Sequence, residues 1–158
     1  MDTLRHAAQL IAAGEWPARL ERGTVTLTYA DRCRRRVRLM DDSGMAFLLD
    51  LARPARLADG DGLALADGGI IRVIAAAEPL VEATATDAKH LARLAWHVGN
   101  RHVPAEIVDE HRLRITHDAV LRDMLRGLGA DTQAITAPFH PEGGAYASLA
   151  VGHHHGHD

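Results

Sequence analysis

Eleven of the 158 residues are histidines, and four of them fall within the closing "VGHHHGHD": His153, His154, His155 and His157. Imidazole nitrogen suits nickel, copper and zinc alike, so a tract of this kind points to metal binding. The run is broken by Gly156 and closed by Asp158, unlike the unbroken run of a purification tag, and it reads as native chain.

The other histidines sort by spacing. His90 and His97 lie seven apart in a segment of helical period. They share one side of a helix but stand about 10 Å apart along its axis, too far for one ion. Both read as exposed or half-buried structural residues. His111 and His140 fall in or beside turns and read as solvated, although His140 leads into the tail. His117 precedes Asp118 at the start of a second helical segment, where ligand and capping-turn readings stand level. His102 is different. It sits in "GNRHVP", after the stop signal Gly99-Asn100 and before Pro104, which pushes Val103 into extended backbone. One imidazole on a short rigid segment is a poor metal site alone, but a two-fold axis presents the same residue twice.

Catalytic signatures are missing: no GxSxG elbow, Walker loop, GxGxxG after a strand, or HExxH occurs. Cys33, the single cysteine, gives neither an internal disulfide nor a zinc-finger spacing, and it reads as an ordinary thiol on or near a strand. The five arginines of "DRCRRRVR" (Arg32, Arg34, Arg35, Arg36, Arg38) read as a solvated loop and strand face. No aromatic residues interleave with them to stack bases, while docking of an acidic protein stays open.

Net charge is −3 with histidine neutral, which argues against whole-surface nucleic-acid binding. Apolar content of 47% supports a core, and aromatic content of 4% means that Leu, Val, Ile and Ala must build it. The N-terminus lacks a charged-then-apolar leader pattern, and no stretch is long enough to span a bilayer, so a soluble cytoplasmic protein is expected.

The elements that must position these residues change period near residue 76. "GTVTLTY" alternates Val25, Leu27 and Tyr29 with threonines, and "RVRLM" continues with Val37 and Leu39. "DDSG" is a turn before "MAFLLDL", "ADGDG" is another, and "LALADGGIIRVI" reads as a hairpin closed at Asp67-Gly68-Gly69. "AAAEP" with Pro79 marks a boundary. "LVEATAT" then reads as a strand and Asp87 as the N-cap of a helix with the stripe Leu91, Leu94, Ala95, Val98. Two short strands follow around Asp109-Glu110. Thr116 suits the cap of a second helix striped by Val120, Leu121, Met124, Leu125 and Leu128, which Gly127 and Gly129 end. "DTQAITAPF" returns as a strand. The expected fold is α+β in two domains: a small all-β domain over 1–76, a ferredoxin-like β-α-β-β-α-β domain over 77–145, and a mobile His-rich tail over 146–158.

"LARLAWHVGNRHVP", "DAVLRDMLRGLGA" and "APFHPEGGAY", with "TLTYADRCRRRVRL" and "LADGDGLALADGGIIRVIAAAEPL", together resemble the UreE family of urease accessory proteins, a nickel metallochaperone family. The resemblance spans essentially the whole chain. It implies an N-terminal β domain that contacts partners or peptides and a C-terminal domain that binds metal and forms a homodimer. It implies that His102 of each protomer shares one nickel(II) ion at the dimer axis. Tail residues His153, His154, His155 and His157 would supply auxiliary ligands, and His117 a further one. Some members carry a second histidine two positions after the one matching His117; here Ala119 stands there. The implied partners are the urease-maturation GTPase and the urease apoprotein, with neither membrane nor nucleic acid, and the implied role is delivery, not catalysis. Zinc(II) or copper(II) would also fit, because imidazole does not exclude them by affinity. The alternative is a protein-interaction module in which metal binding is incidental.

Overall fold

Alternating threonine and aliphatic residues give the first half of the chain its extended backbone, and the computed structural model describes residues 3–144. They divide into two compact units. The first runs to Glu78 and takes in Ala137–Phe139; the second holds Pro79–Thr136 and continues from His140. The fold class is α+β.

The first unit contains β1 (Arg5–Ile11), β2 (Glu21–Leu27), α1 (Tyr29–Arg32), β3 (Arg36–Met40), β4 (Ala46–Asp50), β5 (Gly62–Leu65) and β6 (Ile70–Ala75). They form one sheet in the order β2-β6-β5-β1-β4-β3. The β1–β4 and β2–β6 pairs are parallel; the others are antiparallel. Hairpin reasoning finds the β3–β4 and β5–β6 pairs but not β1, whose "RHAAQLI" has no clean alternation. Ala7, Val25, Phe47, Leu49, Leu63, Ile71 and Val73 fill the core. Each large aliphatic buried there stabilises by about 1.5–3 kcal/mol.

Two expectations fail in α1. Tyr29 does not extend the strand, because the Thr28 hydroxyl accepts the Asp31 N–H and caps a single helical turn. That turn carries Arg32 inward: it is only 2% exposed, not solvated with the other arginines. Its guanidinium donates to the Leu57 carbonyl at 3.3 Å and to the Phe139 carbonyl, and lies 5.7 Å from the Tyr29 ring centre. Phe139 packs edge-on against Tyr29 at 5.3 Å. Cys33 caps the C-terminus of α1 and is exposed.

The turn between β3 and β4 is built on Asp41, which is buried. Its carboxylate accepts from Arg5 at 2.6 Å, the Ser43 hydroxyl at 2.6 Å, and the backbone N–H groups of Ser43 and Met45.

The second unit contains most of β7 (Ala77–Thr84), α2 (Ala88–Asn100), β8 (Glu106–Ile107), β9 (Arg112–Thr116), α3 (Ala119–Gly127) and most of β10 (Asp131–Pro138). The sheet order β10-β7-β9-β8 is the ferredoxin-like arrangement. Pro79 lies inside β7, ahead of its first pair with β9, Leu80↔Thr116. Val81, Ala83, Leu113 and Ile115 from the sheet meet Leu91, Leu94 and Val98 of α2 and Leu121 and Leu125 of α3. The alternate residues carry charge: Glu82 pairs with Arg114 at 2.8 Å and Arg112 at 3.6 Å, and Arg114 reaches Glu106 at 3.7 Å.

Burial pushes the Asp41 pKa up, but the Ser43 hydroxyl, the Arg5 guanidinium and the two backbone donors outweigh it and hold the value at about 2, against 3.8 ordinarily. The group is depressed on folding, so its stabilisation is complete above about pH 4 and vanishes as the pH falls through about 2. Asp41→Asn should therefore cost about 2 kcal/mol at pH 7 but only about 1 kcal/mol at pH 3. Urea denaturation midpoints at the two pH values check this.

Candidate metal centre

The two helices of the second unit end in the same hydrogen-bonded motif. After α3, the Gly129 N–H bonds the Arg126 carbonyl at 2.9 Å, and the Ala130 N–H bonds the Leu125 carbonyl at 3.1 Å. After α2, the His102 N–H bonds the Gly99 carbonyl at 3.0 Å, and the Val103 N–H reaches the Val98 carbonyl at 3.4 Å. This is the Schellman cap, which requires left-handed backbone at the residue after the C-cap. Gly129 fills that place with φ 91°, and His102 fills the other with φ 55°. Among the described residues His102 is the only non-glycine with positive φ.

The expected stop at Gly99-Asn100 is therefore displaced. Both residues are helical, and the turn falls two residues later, on the histidine. Left-handed backbone costs an L-residue about 1–2 kcal/mol relative to glycine. Packing holds the cap in place, because Val98 is buried and Val103 packs on the same cluster. His102 itself is exposed, on backbone that the cap restrains.

His90 is fixed by both ring nitrogens. Nδ1 accepts the Thr86 N–H at 3.0 Å, which leaves the proton on Nε2 to donate to the Leu128 carbonyl at 2.8 Å. It thus ties the start of α2 to the end of α3 and has no free lone pair for a metal. His97 is half-buried and meets Trp96 edge-on at 4.9 Å. His117 is exposed, and its N–H bonds the Pro79 carbonyl at 3.0 Å. The cap of α3 is Asp118, accepting from Leu121 at 2.9 Å, and not Thr116, which ends β9. His111 is exposed, its N–H held by Asp109. His140 is exposed, and its N–H donates to Glu106 at 3.1 Å. His153, His154, His155 and His157 lie outside the described residues. Among the described residues of one chain, no three His, Cys, Asp or Glu side chains come together as a metal cluster.

Two family models cover nearly the whole sequence. The N-terminal domain of the UreE urease accessory protein matches residues 4–76, and its C-terminal domain matches residues 78–158. The chain belongs to the UreE family. The urease accessory protein UreE of Chelativorans sp. is 48% identical over 153 residues, covering 94% of this chain and 96% of its own length. That of Ruegeria pomeroyi is 48% identical over 144 residues, covering 91% of each. That of Bradyrhizobium sp. BTAi1 is 52% identical over 135 residues, 85% of this chain, which spans only 64% of that relative's length. UreE proteins are accessory proteins and not enzymes. No helix among the described residues is long and apolar enough to cross a membrane.

Sequence reasoning missed two things here: the left-handed backbone of His102, and the doubly bonded ring of His90. The first had a faint signal, because a helix end with no glycine after its last turn forces another residue to turn left-handed. The second had none, since Leu128 lies 38 residues away.

These two histidines should respond oppositely to substitution. His102→Gly should raise the stability of metal-free protein by about 0.5–1 kcal/mol, because glycine accepts the left-handed turn. His90→Ala should lower it by about 1–2 kcal/mol through two lost hydrogen bonds. Thermal or urea unfolding of the two variants measures both signs.

Proposed function

We propose that this UreE chain carries nickel(II) to the urease apoprotein during maturation, as a cytoplasmic homodimer whose two His102 side chains meet at the dimer axis and share the ion. The observation that carries the reading is the strained cap: a histidine occupies a position that suits glycine, and its imidazole stands exposed on restrained backbone. Such strain collects at functional sites. Because one chain's described residues gather no three ligands, a tight site must draw further ligands from elsewhere. A second copy supplies another His102, and the tail residues His153, His154, His155 and His157 supply more, with His117 as a further auxiliary. The second unit also exposes Trp96 (63%) and Val120 (78%), apolar surface that a partner copy can cover.

In this reading residues 1–76 contact partners, 77–145 bind metal and dimerise, and 146–158 collect ions. The partners are the urease-maturation GTPase and the urease apoprotein; membrane and nucleic acid play no part. Neutral nitrogen ligands bind nickel yet release it more readily than a closed thiolate set, which suits a carrier. Zinc(II) and copper(II) compete at the same ligands, so selection rests on geometry and on the partners.

Calorimetric titration of nickel into wild type, His102→Ala and a chain stopped at Gly152 tests this reading. Wild type should show about one tight ion per dimer. His102→Ala should weaken that site at least about tenfold, and the truncation should remove weaker sites while leaving the tight one measurable. Unchanged affinity and stoichiometry in His102→Ala would sink the axial site. Coordination also requires neutral imidazole, so affinity should fall as the solution is acidified.

A further inference from the structure

One edge of the first unit's sheet is open. Among the described residues β3 ends the strand order and pairs only with β4, in the register Arg36↔Asp50, Arg38↔Leu48, Met40↔Ala46. Just beyond its ends, the Asp41 N–H bonds the Met45 carbonyl and the Leu51 N–H bonds the Arg35 carbonyl, both at 2.9 Å. Alternation along an antiparallel ladder then turns residues 35, 37, 39 and 41 toward β4. The N–H and C=O groups of Arg36, Arg38 and Met40 face outward, away from every other strand among the described residues.

The side chains along this edge share a chemistry. Arg34, Arg35, Arg36 and Arg38 are all exposed, and Arg38 has no ion pair among the described residues. Among the described residues Arg36 has one ion pair, a 3.8 Å contact with Asp50. Beyond the arginines, Met40 is 63% exposed and Met45 53%. Met45 lines an open cavity of about 630 Å³ together with Leu4, Arg5, Arg38, Gly44 and Ala46. Of the six large apolar side chains exposed among the described residues, Leu4, Met40 and Met45 belong to the first unit, and two of these three line the cavity.

We propose that the β3 edge binds an extended acidic segment of a partner protein, which adds to the sheet as an antiparallel strand. Read from its N-terminus, the segment has the pattern apolar-x-acidic-x-acidic. Its apolar side chain lies opposite Met40, beside the cavity, and its carboxylates lie opposite Arg38 and Arg36. Main-chain bonds to the outward groups supply affinity, and the arginines and methionines supply selectivity. The charge chooses the occupant. A second copy adding edge to edge would set Arg38 against its own counterpart, and like charges directly opposite destabilise a ladder. Single-stranded nucleic acid would meet methionines where it needs aromatic platforms. The inference rests on the reading that residues 1–76 contact partners but not on the metal site, because no histidine of that site takes part.

The test uses full-length, metal-free protein and fluorescein-labelled peptide TLTEVET, read by anisotropy. Wild type and His102→Ala should bind it equally well. The Arg36→Glu, Arg38→Glu double variant, shown folded by circular dichroism, should bind at least about tenfold more weakly. So should two changed peptides against wild-type protein: one with lysine for both glutamates, and one N-methylated at the first glutamate, which loses its main-chain donor. Four results would overturn the proposal. These are no binding by wild type up to about 1 mM peptide, a double variant that binds as before, an N-methylated peptide that binds as before, or oligothymidylate binding more tightly than the peptide.

Discussion

The end of α2 constrains the second unit more than any other feature. Val98 must stay buried against the sheet, and Val103 must return to the same cluster after only four intervening residues. The chain can reverse that sharply only through a left-handed residue, and the position falls on His102. The strained backbone, the exposure of the imidazole and its restrained direction are one consequence of where two valines pack. α3 solves the same problem with Gly129 and carries no such side chain.

Much of the fold was legible because its signals are local. Asp87 caps α2 and accepts from His90, as its place before an apolar stripe implies. Asp109 closes the β8–β9 turn by accepting from His111 and Arg112. The order β-α-β-β-α-β followed from period alone. What escaped was non-local. β1 owes its place to parallel pairing with β4 and antiparallel pairing with β5, partners about 40 to 60 residues away that leave no mark on "RHAAQLI". Arg32 looked like its four neighbours because composition cannot show which way a one-turn helix points.

The same limit governs the site. Histidine count and family resemblance direct attention to metal, and "GNRHVP" to one residue. Only the backbone separates His102, exposed at a cap, from His90, whose two nitrogens are already engaged. Both are single histidines near the ends of helices. One has a lone pair to offer, and the other has spent both its lone pair and its N–H on the fold.

Arg32 carries a consequence for how the molecule can be divided. Its guanidinium has no carboxylate partner among the described residues, and one of its two carbonyl acceptors belongs to Phe139, 107 residues later in the chain. Phe139 also covers one edge of Tyr29. The first unit is therefore not a contiguous piece of sequence: it borrows three residues from far downstream. A fragment cut at residue 76 would keep the buried cation and discard a group that solvates it.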